Sequence, residues 1–91
     1  MVTIKLRKFG KILNSRPFGA EAALRAKQII EQKDERDSTI LDFKEVEVMS
    51  PSFIDEFVKK LKEQYPQMKI DFIGYKDKPV IRDLLEELEL I

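Results

Sequence analysis

The stretch ILDFKEVEVMSPSFIDEF, residues 40–57, runs a strand straight into a helix. Ile40-Leu41-Asp42-Phe43 is short, mostly apolar and closes on the charged pair Lys44-Glu45, the pattern of a buried strand ended by a turn. Val46, Val48 and Met49 are then expected to bring the chain back toward the core. Ser50-Pro51-Ser52 offers an N-cap hydroxyl and a first-turn proline before apolar residues resume at helical spacing. In that helix Phe53, Ile54, Phe57, Val58 and Leu61 share one side. Asp55, Glu56, Lys59, Lys60 and Lys62 share the other, which is expected to face water. Tyr65-Pro66 ends it.

Upstream, Thr3 to Lys8 alternates, with Ile4 and Leu6 opposite Thr3, Lys5 and Arg7, and predicts a half-buried strand. Phe9-Gly10 reads as a turn and Lys11-Ile12-Leu13 as the brief return strand of a hairpin. Asn14 or Ser15 caps the next helix and Pro17 sits near its start. Its apolar stripe is Phe18, Ala22, Ala26, Ile29 and Ile30, and Gly19 admits a neighbouring backbone. The charged run Lys33-Asp34-Glu35-Arg36-Asp37 closes it as a solvated loop. Downstream, Met68, Ile70 and Phe72 alternate with Lys69 and Asp71 up to Gly74, another half-buried strand. A third helix begins near Asp77, with Val80, Ile81, Leu84, Leu85 and Leu88 turned inward.

No internal repeat or linker is visible in the sequence, and residues 1–91 are expected to form a single domain. Strands alternating with helices predict an α/β fold with right-handed crossovers. The expected core is a central, mainly parallel (mixed) sheet of three or four strands. Three helices would pack mostly on one face and leave the other to solvent or a partner.

Lysine plus arginine number 17, as do aspartate plus glutamate, so the net charge is zero. That balance lacks the basic excess of a nucleic-acid binder and gives no pull toward an anionic membrane. With no cysteine there is no disulfide or thiolate chemistry, and with no histidine the commonest metal ligand and neutral-pH base are missing. No apolar run reaches the ~20 residues that span a bilayer. The amino-terminal residues alternate instead of forming a signal peptide's apolar block. The three glycines are isolated, so no phosphate-cradling loop is formed, and most acids lie on outward helical faces. The expectation is a cytoplasmic, non-enzymatic protein with no metal and no cofactor.

In a parallel α/β sheet each helix starts just past the carboxyl end of its strand, so helix N-termini gather on one edge. That edge would carry Asn14, Ser15 and Arg16, then Ser50 and Ser52, then Tyr75, Lys76 and Lys78. Free N–H groups and the helix dipole favour an anion there, with Arg16 and Lys76 adding charge. Structurally, Ser50 is a cap, Asp42 a strand-end hydrogen-bonding residue, and Arg16 a partner for Asp42, Asp55 or Glu56. The terminal Leu88, Leu90 and Ile91 leave room for a homodimer contact.

Ser15-Arg16-Pro17-Phe18-Gly19, Leu41-Asp42-Phe43 and Val48-Met49-Ser50-Pro51-Ser52-Phe53-Ile54-Asp55-Glu56, in that order, resemble the STAS-like domain family of uncharacterised bacterial and archaeal proteins. That family is itself similar to the STAS domains of anti-sigma-factor antagonists and sulfate-transporter tails. The resemblance runs from the first strand to the last helix. It implies a regulatory α/β domain that docks to a protein partner, often a histidine-kinase-type ATPase. In the antagonists a serine at the start of the helix after the central strand is phosphorylated, and that motif falls on Ser50, Pro51, Ser52, Phe53 and Ile54. Ser52 takes the phosphoacceptor's place. Ser50 stands for the motif's acid, Pro51 for one serine and Phe53 for the glycine. The candidate partner or anion rim, placed by the gathering of helix N-termini on one edge, comprises Ser15, Arg16, Ser50, Asp55 and Lys76. The other reading of the same helix N-termini is a sensor of a small molecule, nucleotide or anion.

Overall fold

The computed structural model describes residues 1–91. The chain runs β1 (Val2–Lys5), a 3-10 turn (Leu6–Phe9), β2 (Ile12–Leu13), α1 (Arg16–Lys33), β3 (Ser38–Asp42), β4 (Val48–Met49), α2 (Pro51–Gln64), β5 (Lys69–Ile73) and α3 (Pro79–Glu87). The main sheet has three strands in the order β1-β3-β5, and β2 and β4 form a separate two-stranded ladder. Every strand pair is parallel.

Register assigns the two faces. Val2, Thr39 and Ile70 form one row and Ile4, Leu41 and Phe72 another, and these rows point into the core under the helices. The Thr39 hydroxyl is buried there and donates to the Val2 carbonyl at 2.9 Å, so the core keeps no unsatisfied polar group at that point. Thr3, Ile40 and Asp71, then Lys5, Asp42 and Ile73, form the opposite rows. This is the open face, where Thr3, Lys5 and Ile73 are exposed.

The helices fit because α1 is small where it meets α2. Ala22, Ala23 and Ala26 are buried, and a Cβ on Gly19 would collide with the Phe53 carbonyl and sit 3.2 Å from the Glu56 Cβ. The close backbone approach expected at Gly19 is therefore with α2.

The backbone plan does repeat, although the sequence does not. Strand, turn, two-residue strand and serine-capped helix occur once as β1, β2, α1 and again as β3, β4, α2. The two units lie side by side, β1 on β3 and β2 on β4.

Several local expectations are corrected. The first strand stops at Lys5 instead of Lys8, because Leu6 and Phe9 are both buried and their three-residue spacing suits a 3-10 turn, not a strand. Ile12-Leu13 makes no hairpin with β1; it pairs in parallel with Val48-Met49. Val48 and Val80 face solvent, at 53% and 79% exposure. Glu56 is buried instead of wet, because it lies on the flank of α2 that meets α1 at Gly19.

Candidate functional site

The β2–β4 ladder delivers two helix N-termini to one place. The Ser50 N–H donates to the Leu13 carbonyl at 2.8 Å. The Ser15 N–H donates to the Ser50 hydroxyl oxygen at 3.2 Å, joining the start of α1 to the start of α2. Each serine also caps its own helix: Ser15 Oγ accepts from the Phe18 N–H at 3.3 Å and Ser50 Oγ from the Phe53 N–H at 3.2 Å. The two phenylalanines so fixed meet edge to face, ring centroids 5.3 Å apart. Ser52, half-buried, places its hydroxyl 3.2 Å from that of Ser50.

Ser15 reaches this position at φ 76°, ψ 149°. Residues other than glycine rarely adopt such a backbone, which costs on the order of 1–3 kcal/mol.

Arg16 follows and points along α2. Its Nη1 donates to Asp55 Oδ2 at 2.9 Å and to Glu56 Oε1 at 3.1 Å. These two bonds, Asp55 first, raise the guanidinium's pKa above its ordinary value. Lys60 Nζ lies 3.7 Å from the second carboxylate oxygen of Glu56. Lys60 Nζ also lies 3.6 Å from Glu63, so two cations face three carboxylates and every cation of the cluster is paired. Of the three acids that were candidates for Arg16, Asp42 is engaged elsewhere, its Oδ1 accepting the Lys44 N–H at 2.9 Å.

Ser15, Arg16, Ser50, Ser52 and Asp55 are accordingly one connected set. Lys76 lies in the loop between β5 and α3 and forms no ion pair with it. No group of three or more acidic side chains is placed to hold a metal ion. No helix is long and apolar enough to cross a membrane.

A second polar feature was not anticipated. Just past the carboxyl ends of β1 and β3, Lys5, Arg7, Lys8, Asp42, Lys44 and Glu45 line an open hollow of about 440 Å³. The signal for it lay in charge order: no acid precedes Glu21, whereas Lys5, Arg7, Lys8, Lys11 and Arg16 do. A neutral total conceals that segregation.

A family profile described as "STAS-like domain of unknown function (DUF4325)" matches residues 22–78. The chain belongs to this family. No curated protein and no solved structure matches it. The STAS-like match takes in α1 from Ala22, β3, β4, α2 and β5, and with them Ser50, Ser52, Asp55 and Lys76. It is narrower than the span the sequence suggested, since Ser15, Arg16, the first strand and α3 lie outside it.

Proposed function

We propose that this STAS-like domain is a non-enzymatic regulatory module that docks to a protein partner through the joined starts of α1 and α2. The observation that carries the reading is the Ser15–Ser50 hydrogen bond, made at the expense of an unfavourable Ser15 backbone. Backbone strain of this kind clusters at binding and switch regions, where the surrounding structure holds it in place. The rim offers a partner two hydroxyls, a half-exposed guanidinium and a half-exposed carboxylate on a rigid base.

Ser52 is the phosphoacceptor in this reading, and a histidine-kinase-type ATPase is the class of partner that would modify it. Such a partner works where ATP is, in the cytoplasm. A phosphate on Ser52 brings about −1.5 to −2 charge and three acceptor oxygens to the first turn of α2. The dipole there favours it, while Asp55 and Glu56 oppose it. Arg16 is the group that can relieve the conflict by leaving those carboxylates for the phosphate. The switch is then an exchange of Arg16 partners, and the partner protein reads the freed Asp55.

The test begins with a photo-crosslinking side chain at Asp55 and a control at Lys33, at the far end of α1. A protein captured only from Asp55 is purified and titrated with the domain, with Ser52→Asp and with Arg16→Glu. Each variant is expected to change affinity at least ~10-fold, the scale of a lost or gained charge-assisted contact. Equal affinity for all three would defeat the docking rim. Mass spectrometry after incubation with the partner and Mg-ATP locates any phosphate, and modification confined to other serines would remove Ser52 from the mechanism.

A further inference from the structure

The hollow beyond β1 and β3 differs from the serine rim in one respect: its positive charges have no partners. Lys11 pairs with Glu47 at 3.7 Å and Arg16 with Asp55 and Glu56, but Lys5, Arg7, Lys8 and Lys44 take part in no ion pair. All four line the same hollow, against two carboxylates, Asp42 and Glu45. One of these, Asp42, is already committed to the Lys44 N–H. Cations gathered this way repel one another and raise the potential inside a concave surface, which concentrates anions there.

The fold holds this arrangement rigidly. Leu6 and Phe9 are buried and anchor the 3-10 turn, leaving Arg7 and Lys8 on its outer side. On the facing wall, Phe43 N–H donates to the Ile73 carbonyl at 3.0 Å and Val46 N–H to the Phe43 carbonyl at 3.1 Å, with Glu45 between them at φ 69°. Gly74, at φ +78°, lies against this turn, where a Cβ would strike the Asp42 carboxylate. Two independently anchored turns therefore present cations to one space.

We infer that this hollow binds a compact, multivalent phosphate anion of the pyrophosphate or oligophosphate class. Its volume falls within the range of about 300–1,000 Å³ typical of small-ligand sites. No hydrophobic residue lines it, so there is no platform on which a nucleobase could stack. Recognition is by charge: Arg7 supplies a planar fork suited to two phosphate oxygens, and Lys5, Lys8 and Lys44 act as point charges around it. The site is distinct from the Ser15–Ser50 rim and does not rest on the docking reading.

The test is titration calorimetry and thermal melting of the full chain with tripolyphosphate, against sodium sulfate at matched ionic strength. Saturable binding is expected, with a melting-temperature rise of about 6–11 °C at about ten times Kd. Arg7→Gln combined with Lys44→Gln is expected to weaken binding at least ~10-fold, and Lys33→Gln with Lys62→Gln, which removes equal charge elsewhere, to change it less than ~2-fold. Amide NMR shifts in the native protein should move at residues 5–10 and 42–46. Pyrophosphate and ADP carry the same diphosphate, so ADP should bind no more tightly. Tighter ADP binding would overturn the ring-free assignment. The site itself is overturned by an absence of saturable binding below ~10 mM, a concentration at which the standard binding free energy is already small. It is equally overturned by equal losses in the two double variants, or by shifts centred on Ser15 and Ser50.

Discussion

Two polar clusters lie past strand ends, the serine rim beyond β2 and β4 and the hollow beyond β1 and β3, and they treat charge in opposite ways. Around Ser15 and Ser50, Arg16 and Lys60 are ion-paired with Asp55, Glu56 and Glu63, and the Ser15 and Ser50 hydroxyls are occupied by helix N–H groups. In the hollow, Lys5, Arg7, Lys8 and Lys44 outnumber Asp42 and Glu45 and pair with neither. Matched groups are part of what holds the fold, so removing them should cost stability. Unmatched groups are held in place by other residues, so removing them should cost binding and little else.

The largest effect expected is at the joint beneath the serine rim. Gly19→Ala pushes a methyl into the Phe53 carbonyl and should destabilise by about 3 kcal/mol, read as a lower urea midpoint at unchanged slope. Its tripolyphosphate affinity, measured on the folded fraction, should match that of the parent. A parallel loss would mean that the two clusters are one unit. Ser50→Ala removes the cap on Phe53 and the acceptor for Ser15, and should cost about 1.5 kcal/mol by the same measurement. Ser15→Gly should run the other way, stabilising by about 0.5–1 kcal/mol, because relief of the φ 76° backbone outweighs the lost cap and the added chain entropy.

A third matched cluster, at the far end of α1, gives a pH signature. Glu31 accepts from Arg36 and from the Tyr65 hydroxyl, the latter at 2.6 Å. The Arg36 bonds, then the Tyr65 bond, hold the Glu31 carboxyl below its ordinary 4.5. Its stabilising contribution is complete above pH 4.5 and is lost as pH falls through the lower folded value. Burial, then the Glu31 bond, push the Tyr65 phenol from 10.0 up to about 12. That contribution is complete below pH 10 and is lost as pH rises toward 12. Tyr65→Phe should flatten the alkaline limb of stability against pH, and Glu31→Gln the acid limb. Smallest of all, Arg7→Gln or Lys44→Gln should leave stability within about 0.5 kcal/mol, with a slight gain as like charges separate. A loss beyond that would make those cations part of the fold.

Periodicity made most of the architecture readable. Phe53, Ile54, Phe57, Val58 and Leu61 are all buried as their spacing requires, and Ser50 caps α2 as a serine before a proline suggests. The β2–β4 ladder was not readable, since two residues carry no pattern and the partner lies 36 residues on. Glu56 was misplaced because a residue on the flank of an amphipathic stripe is buried or wet according to its neighbour, and that neighbour is Gly19 of another helix. The site divided similarly. Arg16's partners were among those expected, because helix starts converge in this topology. The Ser15 backbone gave no sign, since serine is not a residue that announces a positive φ. The hollow was hidden by an even count of opposite charges.

The twofold use of one strand–turn–strand–helix plan also bears on how the chain comes together. β1 bonds only to β3, and β2 only to β4, so nothing in the first unit is hydrogen-bonded to a strand of its own segment. During synthesis, everything up to Asp37 must wait with its strand edges unpaired until the second unit emerges. Sheet formation is then a late, concerted event closing loops of some 35 residues at once, a slower route than zipping up a hairpin.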